Sequence, residues 1–141
     1  MAQSASLHFD EVAVGLPAAL AEEGAEAAAM FRAVANLFAR WGVTDAQAAT
    51  LLDLPPRSWA RWKAERAPGR LGRDGRARLS NLLGIHKALR LIFADAPRGY
   101  DWIKAPNAAF AGRSALEVML GGELTDLMRV RRYLDAERGG W

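Results

Sequence analysis

Apolar residues recur at intervals of three and four along this chain, and no run of Val, Ile and Thr long enough to make a strand interrupts them. That spacing lines side chains along one stripe of a helix, so the sequence predicts an all-α protein. With 141 residues, 51% of them apolar and five of them Trp, the chain has material for one core or two small ones. Cysteine is absent, which excludes disulfides, thiolate nucleophiles and Cys-ligated metals. No apolar stretch approaches the roughly 20 residues of a membrane span, and the opening MAQSASLHFDEV lacks the basic region and apolar core of a secretory signal. A cytoplasmic protein without a membrane partner is the expectation.

Glycine, proline and capping residues divide the helical text. The first clear helix is expected from about Glu26 to Arg40, with Met30, Val34, Leu37, Phe38 and Trp41 on one stripe and Gly42 as a left-handed cap. Residues 1–25 read either as a loose arm or as a weak helix laid on the core. Thr44 opens a short second helix, with Gln47 three residues later completing a capping box. Pro55 and Pro56 force a corner and start a third helix, Pro56 to Glu65. Two short helices joined by so tight a turn, behind a longer one, form the helix-turn-helix pattern. Beyond it a long helix is expected from about Asp74 to Phe93. Shorter ones are expected around Arg98 to Lys104, after the capping pair Ser114 and Glu117, and near Thr125 to Arg138.

Charge is distributed unevenly. Residues 57–90 carry ten Lys/Arg against two Asp/Glu, whereas residues 1–56 carry two against seven. The positive segment is nearly all Arg, whose planar fork suits phosphate and guanine better than Lys does. At 100° per residue, Trp59 and Trp62 of the third helix point inward, and Arg57 and Arg61 stand on the opposite face, where a recognition helix meets base edges. Ser58 flanks them, and Thr44 and Gln47 join the same expected DNA face. Lys63, Arg66, Arg70, Arg73 and Arg76 read as phosphate contacts. A solvated helical face is the plainer alternative.

Chemistry has no visible carrier. His8 and His86 lack a second ligand at metal spacing, and no Ser, Cys or carboxylate pair has the surroundings of a catalytic group. The glycines between Ala67 and Arg76 match neither GxGxxG nor GxxxxGK[ST]. No enzyme, cofactor or metal site is expected. The long helix is apolar around more than half its circumference, so Leu82, Ile85, Leu89 and Ile92 are expected at the interface of a homodimer, at least. In the last third, Trp102, Phe110, Met119, Tyr133 and Trp141 are more large apolar groups than short helices bury easily, so either the core or a partner receives them.

The last stretch, PNAAFAGRSALEVMLGGELTDLMRVRRYLDAERGGW, closely resembles the toxin-binding domain of Xre/MbcA/ParS-type antitoxins, and VTDAQAATLLDLPPRSWARWKAER resembles the Xre-like segment that precedes it. Ala115, where a proline commonly follows the serine, and Pro56 in the turn depart from the usual pattern. The resemblance implies residues 26–73 as a DNA-binding region and 74–141 as the long helix with a toxin-binding domain. It also implies an antitoxin whose partners are a RES-domain toxin that destroys NAD and the operator DNA of its own operon. A free-standing helix-turn-helix regulator is the alternative. On this reading the toxin contacts are Trp102, Phe110, Arg113, Met119, Arg131, Arg132, Tyr133, Asp135, Glu137, Arg138 and Trp141. Apolar groups and carboxylates would enter a cationic, partly apolar cleft, and the arginines would pair at its rim.

Overall fold

The structure, a computed structural model, describes the backbone of residues 4–139 and the side chains of residue 18 and residues 21–139. Trp141 therefore lies outside the described residues. Among the described residues seven α-helices follow one another: α1 (Ser4–Trp41), α2 (Asp45–Leu52), α3 (Pro56–Glu65), α4 (Arg73–Ile92), α5 (Ala96–Lys104), α6 (Ala115–Met119) and α7 (Leu124–Gly139). A 3-10 turn, Ala108–Phe110, separates α5 from α6, and no strand occurs among the described residues. The all-α expectation holds. Residues 4–25 belong to α1, so its start lies well before Glu26.

Local chemistry sets the helix ends. α1 stops at Gly42, whose φ of +69° is cheap only for glycine. Thr44 Oγ1 accepts from the Gln47 N–H at 3.1 Å while the Thr44 N–H donates to Gln47 Oε1 at 3.0 Å, closing the capping box on α2. α2 ends on Asp53 in the left-handed region, and Pro56 begins α3, so the turn expected from the two prolines is there. Ser114 and Glu117 form the second capping box at α6.

One core runs through the described residues. Phe31, Val34, Leu37, Phe38 and Trp41 of α1 meet Ala48 and Leu51 of α2, Trp59 and Trp62 of α3, and Leu79 of α4. Phe31 sets its ring edge-on to both tryptophans, with centroids 5.9 and 5.8 Å away. The same cluster continues through Leu82, Ile85 and Leu89 to Ile103, Leu127, Val130 and Leu134.

The burial of α4 corrects one expectation. Leu82 and Ile85 are 0% exposed and Leu89 is 2% exposed inside a single chain, so they are core residues and not a dimer seam. α4 is apolar so far round because four helices of its own chain pack against it, α7 and α1 most extensively and α5 and α2 less so. Of the four expected residues only Ile92 reaches the surface, beside Leu91, which is 61% exposed. Gly84 leaves room for the Arg131 guanidinium of α7: a Cβ there would lie 2.5 Å from Arg131 Cζ.

Candidate functional site

Two faces carry the candidate residues. On the first, α3 turns Trp59 and Trp62 inward and leaves Arg57 and Arg61 exposed. Neither arginine enters any ion pair among the described residues, and Arg66, Arg70 and Arg73 are exposed beyond them. Ser58 is half-buried. Four expected contacts are otherwise engaged. Lys63 Nζ lies 3.0 Å from Asp45 Oδ1, which also accepts from Trp59 Nε1 at 2.9 Å. The Trp59 indole and then the Lys63 ammonium hold the Asp45 carboxyl below its ordinary pKa. Thr44 and Gln47 hold each other in the capping box, so their first role is to start α2. Arg76, in the first turn of α4, reaches back to Glu23 at 3.3 Å and ties α4 to α1.

The second face is built by α5, the 3-10 turn and α7. The rings of Trp102 and Tyr133 stack at 6.0 Å with 10° between their planes, and both are half-buried. Phe110 stands edge-on beneath them, 5.2 Å from Tyr133 and 6.4 Å from Trp102. Phe110 is 2% exposed and Met119 0%, so these two expected toxin contacts are instead anchors inside the chain. Arg129, which the sequence reading passed over, places its guanidinium 5.4 Å from the centre of the Phe110 ring. Its signal was its place four residues before Tyr133, on the same side of α7.

The PNAAFAGRS stretch shows its physical content here. Asn107 Oδ1 accepts from the Ala109 N–H at 2.8 Å, the Gly112 N–H donates to the Asn107 carbonyl at 2.9 Å, and the Asn107 N–H donates to the Arg113 carbonyl at 3.1 Å. An antiparallel bridge between Pro106 and Ser114 closes the loop. Its asparagine, phenylalanine, glycine and serine thus shape the loop, and Arg113 is exposed on it. The Ser114 backbone N–H and hydroxyl together hold the Glu117 carboxyl below its ordinary pKa.

On α7, Arg132 and Glu137 are exposed and free of ion pairs among the described residues. Asp135 lies between Arg131 and Arg138, 3.7 Å from each, and Arg131 also donates to the Ser80 carbonyl at 3.4 Å. Arg131 is therefore partly a clasp between α7 and α4.

Residues 20–84 match the family model of the antitoxin Xre-like helix-turn-helix domain, and residues 88–140 that of the antitoxin Xre/MbcA/ParS C-terminal toxin-binding domain. The uncharacterized protein y4oB of Sinorhizobium fredii (strain NBRC 101917 / NGR234) is 47% identical over 102 residues, covering 72% of this chain and 78% of that relative. A chain of the crystal structure of the M. tuberculosis MbcT-MbcA toxin-antitoxin complex superposes with a TM-score of 0.53 at 26% identity, covering 80% of this chain and 94% of that one. Fold and matches together define an antitoxin class with a helix-turn-helix and a toxin-binding region. The chain belongs to the Xre/MbcA/ParS antitoxin family. No helix among the described residues is long and apolar enough to cross a membrane.

Proposed function

We propose that this antitoxin neutralises a RES-domain toxin that destroys NAD, and that it represses its own operon through α3. It acts in the cytoplasm by occlusion and by repression, not by catalysis. Residues 26–73 form the DNA-binding unit, and residues 74–141 hold the toxin. The observation that carries the toxin half is the Trp102–Tyr133 stack, an aromatic surface within the segment matching the toxin-binding family. Arg113, Arg129 and Arg132 are exposed around it. Aromatic and Arg residues are the groups that dominate interface energies, at about 2 kcal/mol or more each on truncation. On the same reading Asp135 and Glu137 of α7 are toxin contacts, as is Trp141, which lies outside the described residues. For the DNA half, Arg57 and Arg61 of α3 read bases while Arg66, Arg70 and Arg73 hold phosphates. A homodimer places two such helices about one turn of DNA apart, and the exposed Leu91 and Ile92 are the part of α4 left to join two copies.

Co-expression with a RES-domain toxin tests the toxin half. Cellular NAD and growth are restored by the full chain and lost again when residues 139–141 are deleted, with melting temperature unchanged. Full protection by the truncated chain would remove the C-terminal end from the inhibitory surface. Light scattering at micromolar concentration reads the dimer, and a monomer both free and on DNA refutes it.

A further inference from the structure

The outward side of α3 carries residues of two kinds. Between the unpaired Arg57 and Arg61 and just beyond them, Ala60 and Ala64 are exposed as well. With Ala46, Pro56 and the buried Trp59 they line an open hollow of about 500 Å³ between the start of α2 and the flank of α3. Its two charged lining residues, Asp45 and Lys63, are paired with each other at 3.0 Å, and the Trp59 N–H is also taken by Asp45. Apart from that pair, the lining is apolar. What it offers is methyl and ring surface, on the same side of the helix as two free guanidinium groups.

A major groove presents the matching surface: guanine shows two acceptors to a guanidinium, and thymine shows a C5-methyl to small apolar side chains. We infer that Ala60 and Ala64 read thymine methyl groups next to the guanines contacted by Arg57 and Arg61. The inference rests on the DNA-binding reading given above. Charge selects DNA over a protein as the occupant. Arg57 and Arg61 share the exposed side of α3 with Ala60 and Ala64, and Arg66, Arg70 and Arg73 are exposed further along the chain, a surface that attracts a polyanion and repels a second copy of itself. Side-chain size points the same way, because alanine at both positions lets the helix backbone come close to the base edges. Pro56 at the rim adds a rigid apolar edge with no N–H to satisfy.

The test uses the full-length protein and the promoter segment upstream of its own reading frame, amplified once with dTTP and once with dUTP. Uracil keeps the base pairing of thymine and lacks only the methyl. Each methyl lost from such a contact weakens binding about fourfold, so two lower the affinity on the order of tenfold. Ala60→Ser and Ala64→Ser replace the methyl surface with a small polar group. Each should shrink the preference for the thymine duplex while leaving affinity for the uracil duplex unchanged, and circular dichroism checks the fold. Arg70→Ala should weaken both duplexes equally and keep their ratio. Equal wild-type affinity for the two duplexes overturns the inference and leaves the DNA-binding reading standing. Failure to bind either duplex overturns both. A preference that survives in both serine variants assigns it to DNA shape and overturns the methyl contact. Serine variants that change the oligomeric state without changing the ratio place a protein in the hollow, which also overturns it.

Discussion

Replacing Arg78 by Met should destabilise the protein through one hydrogen bond that the sequence makes necessary. Leu51 stands in the last turn of α2, the chain turns off at Asp53, and Pro55 four residues on has no N–H, so the Leu51 carbonyl lacks a partner within the helix. Arg78, 3% exposed on α4, supplies the missing donor: its Nη1 lies 3.1 Å from Leu51 O. Its Nε also donates to Asp74 Oδ2 at 2.7 Å, although Asp74 is 54% exposed. Met keeps most of the apolar stem and loses both bonds. A hydrogen bond from a charged donor contributes about 1.5–3 kcal/mol, and a buried carbonyl left unsatisfied costs about 1–3 kcal/mol. The exposed partner adds no more than about 1 kcal/mol. Arg78→Met should therefore cost about 2–3 kcal/mol, and Asp74→Asn less than about 1 kcal/mol. At a urea slope of about 1–3 kcal/mol per molar, the midpoint of Arg78→Met falls by about 0.7–3 M. Urea unfolding followed by tryptophan fluorescence reads both variants. If Arg78→Met keeps the wild-type midpoint, or Asp74→Asn costs as much, the carbonyl is not what Arg78 is there to satisfy.

Three other perturbations probe the two faces and the core between them. Arg57→Ala or Arg61→Ala should weaken specific DNA binding by about 1–3 kcal/mol and relax sequence preference. Lys63→Ala should cost less, because its ammonium already sits on Asp45; gel-shift titration at two salt concentrations separates them. Trp102→Ala or Tyr133→Ala should weaken toxin inhibition by about 2 kcal/mol, whereas Met119→Ala should cost about 2–5 kcal/mol of stability with inhibition per folded molecule intact. Titrating the toxin's NAD consumption alongside thermal melting distinguishes the two effects. His86, half-buried with its Nδ1 unpartnered, has its pKa held below the ordinary 6.5, first by burial and then by Arg90 and Arg40. The unfolded chain then binds the proton first, so this group's contribution to stability is full above pH 6.5 and declines as pH falls below it. His86→Gln should flatten the acid side of a urea-midpoint profile, and an unchanged slope would exclude His86 as its source.

The sequence by itself determined what depends on neighbours along the chain. Helix type followed from the spacing of apolar residues. The turn between α2 and α3 followed from Pro55 and Pro56, and both capping boxes from residue pairs three apart, since these involve only bonds within a turn or two. The inward tryptophans and outward arginines of α3 followed from the same angular arithmetic. Only the tertiary structure decided which apolar face meets which. The apolar girth of α4 reads equally well as a dimer seam or as a helix wrapped by its own chain, and the packing of α1 and α7 against it settles that Leu82, Ile85 and Leu89 are core. Phe110 and Met119 moved inward for the same reason: composition shows that a segment holds an excess of large apolar groups, but not which of them another helix covers. Pairings across long sequence separations were likewise invisible. Lys63 with Asp45 and Arg78 with Leu51 come from helices brought together by burying apolar area, a force without direction that leaves partner choice to the shape of the whole core.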